Sequence, residues 1–243
     1  MVLENFLEPT FAAEVANSYP DFDTAQRMGF EFRNVNENLK VQITDYAKFP
    51  DPTKKLADAL ASPEFMAQLS EITGIKNLLW DGGFVGGGMH QTGSRGLLDV
   101  HVDFNLIEDK KLYRRLNLLL YLNDGWQEDW GGAVELWDPE VKVCHKSLAP
   151  VLNRCLVFQT SEHSFHGVSQ LTSPPGTQRK SFAVYYYTEE APVGWAGRSH
   201  GTIFKARPDE YLKKFALMPA EKLEKQVKKG VRAAKDAVKR LIK

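Results

Sequence analysis

Hydrophobic positions along this chain change spacing twice. Up to about residue 77 they fall at helical intervals. Pro9-Thr10 followed by Phe11, Val15 and Pro20 predicts a short capped helix. Asp51-Pro52 opens another with Leu56, Ala59 and Leu60 on one face, and Ser62-Pro63-Glu64 opens a third. There Ser62 stands at the cap, Pro63 at the first helical position, and Phe65, Leu69 and Ile72 follow before Gly74 ends the run. Between these helices, Lys40 to Thr44 alternates as a strand does. From Leu78 the period shortens to two, with glycines at Gly82, Gly83, Gly86, Gly87, Gly88, Gly93 and Gly96. Short β-type runs follow at Arg114 to Leu122, Ala133 to Trp137, Val141 to His145, Cys155 to Thr160 and Arg179 to Thr188. After Pro208 the helical period returns. Asp209 to Leu217 reads as one helix, and Pro219 opens a second with Leu223, Val227, Val231, Ala234, Val238 and Leu241 in a stripe among lysines.

Many short strands punctuated by glycine and proline predict a sandwich or jelly roll, and helices placed before them fit a double-stranded β-helix resting on helical supports. The expected class is therefore mainly β (α+β), with a jelly-roll (cupin-like) core. The expected division is a domain over 1–207, with supporting helices in 1–77 and the core at about 78–190, and a basic amphipathic helical extension over 208–243.

Composition changes this picture in one respect. The 243 residues carry no formal net charge. From Lys205 to the end there are 13 basic and 5 acidic residues, a net of +8, which leaves the preceding 204 at −8. An acidic body with a basic tail is an asymmetry that a balanced total conceals, and the total gives no signal for nucleic acid. Two cysteines, Cys144 and Cys155, are too few for a disulfide framework and read as free thiols. Residues 1–7 lack the pattern of a signal peptide, and no apolar run approaches the ~18 residues of a membrane span. The expectation is a cytoplasmic protein.

Chemistry enters at His101-Val102-Asp103. In a strand, residues i and i+2 point to one face, so both side chains can grip one metal ion. A third ligand must come from another strand. His90, His145, His163, His166 and His200 are available. His166, in Phe165-His166-Gly167-Val168, is the best placed, and His163 is the runner-up. Two imidazoles and one carboxylate on one face of a metal form the arrangement of non-haem iron(II) oxygenases. By itself the HxD spacing is weak, and more often describes a core histidine beside a solvated aspartate.

The strand RKSFAVYYYT supplies a second feature. Period two places Arg179, Ser181, Ala183 and Tyr185 on one face. A buried guanidinium needs a carboxylate, and the strand itself holds none, so a bound carboxylate gripped bidentately with the Ser181 hydroxyl beside it is attractive. The bland alternative is an arginine facing solvent at the strand start.

Taken together, HVDFN, YLNDGW, GGAVELWD, SFHGV and RKSFAVYYYT stand in the order and rough spacing found in 2-oxoglutarate- and iron(II)-dependent dioxygenases. Over roughly Leu78 to Thr188 the chain resembles their prolyl-4-hydroxylase-like branch. The resemblance implies iron held by His101, Asp103 and His166. It also implies 2-oxoglutarate held by Arg179 with Ser181 and Tyr121, and Val134 lining the pocket. Relatives often carry a tyrosine near the metal end of 2-oxoglutarate at the position of Gln91, so a role for Gln91 is an extrapolation. The carboxylate at Asp103 implies hydroxylation and not halogenation, since related halogenases carry Gly or Ala there. The implied reaction uses O2 and converts 2-oxoglutarate to succinate while an unactivated C–H bond is hydroxylated, with ascorbate as a candidate reductant.

The substrate is open at this level. A prolyl residue in a peptide or protein is one class. A free amino acid, a sugar or another small natural-product intermediate is the alternative. The segment Gly82 to Gly96 reads as a lid, with Arg95, Trp126 and His90 as candidate substrate contacts. Two readings come from other classes: a catalytically silent jelly-roll binding module, and a zinc hydrolase using the same ligands, which leaves Arg179 without a purpose. The basic tail can pack on the domain, mediate dimerisation or meet an acidic partner or anionic surface.

Overall fold

The computed structural model describes residues 1–221 and 223. Among the described residues, four α-helices precede the main strands: α1 (Pro9–Ser18), α2 (Phe22–Met28), α3 (Asp51–Leu60) and α4 (Pro63–Thr73). The strands, in chain order, are β1 (Val2–Leu3), β2 (Phe30–Arg33), β3 (Glu37–Ile43), β4 (Leu79–Trp80), β5 (Gly88–Val102), β6 (Leu106–Ile107), β7 (Leu112–Tyr121), β8 (Val134–Trp137), β9 (Cys144–Leu148), β10 (Cys155–Gln159), β11 (His166–Val168), β12 (Gln178–Thr188) and β13 (Ile203–Lys205). Their pairing is antiparallel and runs β1-β10-β7-β12-β5-β11-β8-β9, with β3 and β13 also joined to β5.

Strand β5 carries the architecture. At 15 residues it is long enough to bend and serve two halves of the sheet. Its first half pairs with β12, from Gln178↔Gly93 to Ala183↔Gly88. Its second half pairs with β11, His166 opposite His101. Along its other edge β3 covers Met89 to Leu98 and β13 covers Val100 to Val102. The sheet thus curls around an interior.

Alternation along β7 and β12 sorts the side chains. Leu116, Leu118 and Leu120 on β7, with Phe182, Val184 and Tyr186 on β12, face outward into one buried cluster with Val15, Leu56, Leu60 and Leu69 of the helices. Asn117 and Leu119 of β7, and Arg179, Ser181 and Tyr185 of β12, face the interior cavity. Helix α4 starts as its sequence dictates, with Ser62 Oγ accepting from Phe65 N, and ends at Gly74 in the left-handed region, φ 71°.

Three expectations need correction. The segment 1–77 supplies the strand expected at Lys40 to Thr44, as β3, but also β1 and β2, which the helical reading did not include, and all three join the sheet. The run Val141 to His145 is a strand only from Cys144, because Val141 closes a turn with φ 55° in which Asp138 accepts from Lys142 N and Val143 N. The stretch from Gly82 to Gly96 is not a lid. From Gly88 onward it is strand β5, paired on both edges, and the Asp81 carboxylate pins the preceding turn by accepting from the N–H groups of Gly83, Phe84 and Val85. The chain turns helical again at 211–221. The stripe expected from Leu223 to Leu241 lies almost wholly outside the described residues. Among the described residues both cysteines are free, and no helix is long and apolar enough to cross a membrane.

Candidate metal centre and cosubstrate pocket

A cavity of about 190 Å³ opens inside the curled sheet, and the HxD strand runs along its wall. His101 near the end of β5, Asp103 just beyond it and His166 on β11 place one ligand atom each within 4.8 Å of one another. Asp103 Oδ1 lies 3.5 Å from His101 Nε2, and its Oδ2 lies 3.5 Å from His166 Nε2. The cross-strand pairing of His101 with His166 makes this possible, since directly opposed residues share a face. Each ring is oriented from behind. His101 Nδ1 lies 2.8 Å from Asp99 O, and His166 Nδ1 lies 2.9 Å from Ser164 O. A carbonyl can only accept, so both Nδ1 atoms carry the proton and both Nε2 lone pairs face the centre. Burial, and after it the neighbouring His101, brings His166 down to about 4, so it stays neutral and free to ligate.

Asp103 is held by groups that sequence reasoning missed. Arg114 Nη2 reaches Asp103 Oδ2 at 3.0 Å, Asn117 Nδ2 donates to the same oxygen at 2.8 Å, and Arg114 Nε donates to Asn117 Oδ1 at 2.9 Å. The Arg114 guanidinium lies 3.5 Å from the centroid of the Tyr185 ring and 4.6 Å from that of Phe104. Burial works to raise the Asp103 carboxyl, but Arg114 and then the two imidazoles outweigh it and hold it well below the usual carboxylate range. The available signal was a charged residue within the apolar strand Leu112–Tyr121, which burial obliges to find a partner.

The far end of the cavity contains the arginine strand. Arg179 is 5% exposed, and its Nε donates to Gly132 O at 2.6 Å. Among the described residues it forms no ion pair with a carboxylate, and its guanidinium carbon sits 5.1 Å from the Tyr121 ring centroid. The Tyr121 hydroxyl is buried beside the Arg179 guanidinium with no acceptor for its own proton, and burial pushes it up to about 12, so it remains a donor. Ser181 and Val134 line the same cavity. A buried guanidinium with no carboxylate among the described residues, beside a buried hydroxyl donor, is a pair of groups whose chemistry fits a carboxylate. The residues present therefore fit both groups: an iron(II) ion at the N,N,O face and the distal carboxylate of 2-oxoglutarate at Arg179.

Not every candidate reaches this cavity. His90 does, with its Nε2 accepting from Gln42 Nε2 at 3.0 Å; burial first, then Lys40, lowers it to about 3, so it is a neutral acceptor. Gln91 does not line it. Parity along β5 turns its side chain the other way, where Nε2 donates to Pro20 O at 3.0 Å, and the cavity side belongs to His90 and Thr92. Arg95 stands exposed at the bend of β5 with φ 69°, away from the cavity. Trp126 is buried elsewhere, beside Val168 and Leu171, with its Nε1 donating to Gly131 O at 3.1 Å. The β3 wall instead adds Glu37 and Lys40, paired at 2.9 Å.

Comparison with known proteins agrees with this geometry. Residues 87–187 match the model of the 2OG-Fe(II) oxygenase superfamily. Prolyl 3-hydroxylase OGFOD1 of Mus musculus is 36% identical over 84 residues, which is 33% of this chain but only 15% of that protein's length. A prolyl-4-hydroxylase from Pseudomonas putida shares the fold at a TM-score of 0.55 and 17% identity, covering 77% of this chain and 91% of its own. A prolyl hydroxylase of Trichoplax adhaerens, solved in complex with a hypoxia inducible factor oxygen degradation domain peptide fragment, does so at 0.53 and 18%, covering 78% and 83%. Over residues 87–187 the chain is similar to the 2OG-Fe(II) oxygenase superfamily, and its curled β-core has the fold of these prolyl hydroxylase structures.

Proposed function

We propose that the chain hydroxylates a prolyl residue in a peptide or protein, with His101, Asp103 and His166 as iron ligands and Arg179, Ser181 and Tyr121 binding 2-oxoglutarate. One observation carries the reading: the three ligand side chains and the unpaired Arg179 guanidinium share a single cavity. When bound, the iron supplies oxygen activation coupled to decarboxylation of 2-oxoglutarate to succinate. The chain's own residues do the rest. Asp99 O and Ser164 O fix the imidazole tautomers, and Arg114 and Asn117 keep Asp103 ionised and oriented. Arg179 and the Tyr121 hydroxyl give the distal carboxylate two kinds of buried donor, and burial strengthens such bonds. No side chain is needed as a general base.

The likeness to prolyl hydroxylases, one of them solved with a peptide, supports a prolyl substrate. One feature favours the small-molecule alternative. The Glu37–Lys40 pair in the cavity wall offers both signs of charge to a compact zwitterion. Succinate release, measured with proline-containing peptides, free amino acids and sugars under iron and 2-oxoglutarate, separates the two. Succinate that depends on peptide and vanishes in His101→Ala supports the proposal. Turnover with free amino acids alone transfers the assignment to the alternative. Absence of both 2-oxoglutarate binding and succinate overturns the enzyme reading.

A further inference from the structure

We infer that residues 203–213, which lie outside the segment matched by the family model, form a strap that positions the metal centre. The inference rests on the reading of His101, Asp103 and His166 as metal ligands. Strand β13 pairs with β5 at Ile203↔Val102, Phe204↔His101 and Lys205↔Val100. It takes up the β5 edge where β3 leaves off, along the residues that carry the first ligand. Without it, that edge would present unpaired backbone groups beside the site. The ring of Phe204 sits 5.4 Å from the His101 ring, centroid to centroid.

Beyond β13, two cations join the strands of the site from behind. Arg207 Nη1 lies 3.3 Å from Asp99 Oδ1 on β5, its Nη2 lies 2.8 Å from Glu135 Oε2 on β8, and the same nitrogen donates to Val168 O on β11 at 3.0 Å. One guanidinium thus touches three adjacent strands, two of which carry an imidazole ligand. Lys213 Nζ adds a 2.8 Å contact to Asp99 Oδ1. Asp99 is fully buried, and its own carbonyl orients His101 Nδ1. The chain of contacts therefore runs from Arg207 through Asp99 to the Nδ1–H of His101, whose Nε2 faces the centre. Arg207, Lys213 and Phe204 act as positioning residues: none of them touches the metal, and the planar fork of Arg207 suits three divergent acceptors where a point charge would not.

The test uses the full chain loaded anaerobically with Co(II), following metal affinity, the visible absorption spectrum and the melting temperature in the same samples. Arg207→Ala is expected to weaken Co(II) binding by about tenfold or more and to alter the spectrum, with Arg207→Lys intermediate. If Arg207→Ala fails to fold, Glu135→Gln, which neutralises a charge partner of Arg207 and keeps an amide oxygen able to accept from Trp137 Nε1, carries the same expectation in weaker form. A lowered melting temperature with unchanged affinity and spectrum would overturn the inference and leave the strap a purely structural element. If the unsubstituted chain binds no metal, the ligand assignment fails first and takes the strap with it.

Discussion

At the scale of single residues, the cavity is governed by two buried arginines with opposite circumstances. Arg114 has its carboxylate in Asp103, whereas Arg179 has none among the described residues. Their removal should therefore differ in kind. Arg179→Ala is expected to raise the dissociation constant for 2-oxoglutarate by one to two orders of magnitude, about 1.5–3 kcal/mol for a charge-assisted contact, with metal affinity nearly unchanged. Calorimetric titration of the metal-loaded protein checks this, and equal loss of both affinities would show that Arg179 supports the site and does not bind the cosubstrate. Gly132 constrains the same side chain. A Cβ there would come within 3.2 Å of Arg179 Cδ and 3.1 Å of the Trp126 ring, at a φ of 68° that favours glycine.

At the scale of elements, much of the fold was legible because period and punctuation agree. The caps at Ser62 and Gly74 delimit α4 where expected, and alternation assigned Arg179, Ser181 and Tyr185 to the cavity face of β12. Three things were not legible, each for a physical reason. Glycines in 82–96 read as loop signals, but in β5 several serve close backbone approach, which a sequence cannot distinguish from flexibility. A side chain added at Gly88 would run into the Ile43 carbonyl of β3, and the φ there is 86°. Gly88→Ala should accordingly cost several kcal/mol, the sum of a steric clash and backbone strain. A fall of several degrees or more in melting temperature measures it, and an unchanged value would show that β3 is not held against β5 as described. Gln91 was misassigned because a motif position fixes distance along the chain, while the bends of β5 decide which face a residue occupies. Arg114 and Asn117 were missed because their partner, Asp103, lies 14 and fewer residues back around a turn, and pairing across a turn leaves no periodic mark.

At the scale of the whole molecule, zero net charge conceals a local excess. The cavity is lined by three cationic side chains, Lys40, Arg114 and Arg179, and two carboxylates, Glu37 and Asp103, which leaves one positive charge when the imidazoles are neutral. That excess makes the cavity an electrostatic host with two guests of opposite sign. A divalent cation alone takes it to three positive charges, a dicarboxylate dianion alone takes it to one negative, and the two together restore the starting value. The dianion thus relieves the field that opposes the cation, and the cation deepens the field that attracts the dianion. Thermodynamic linkage then requires equal mutual tightening, whichever binds first. Succinate, which has no keto group with which to chelate, should still strengthen Mn(II) binding severalfold, and Mn(II) should strengthen succinate binding by the same factor. Paired titrations in each order measure both, and independent binding would refute the charge argument. The same field would retain succinate, the dicarboxylate product of the proposed reaction, for as long as the metal stays in place, which would make product departure a candidate for the slow step of the cycle.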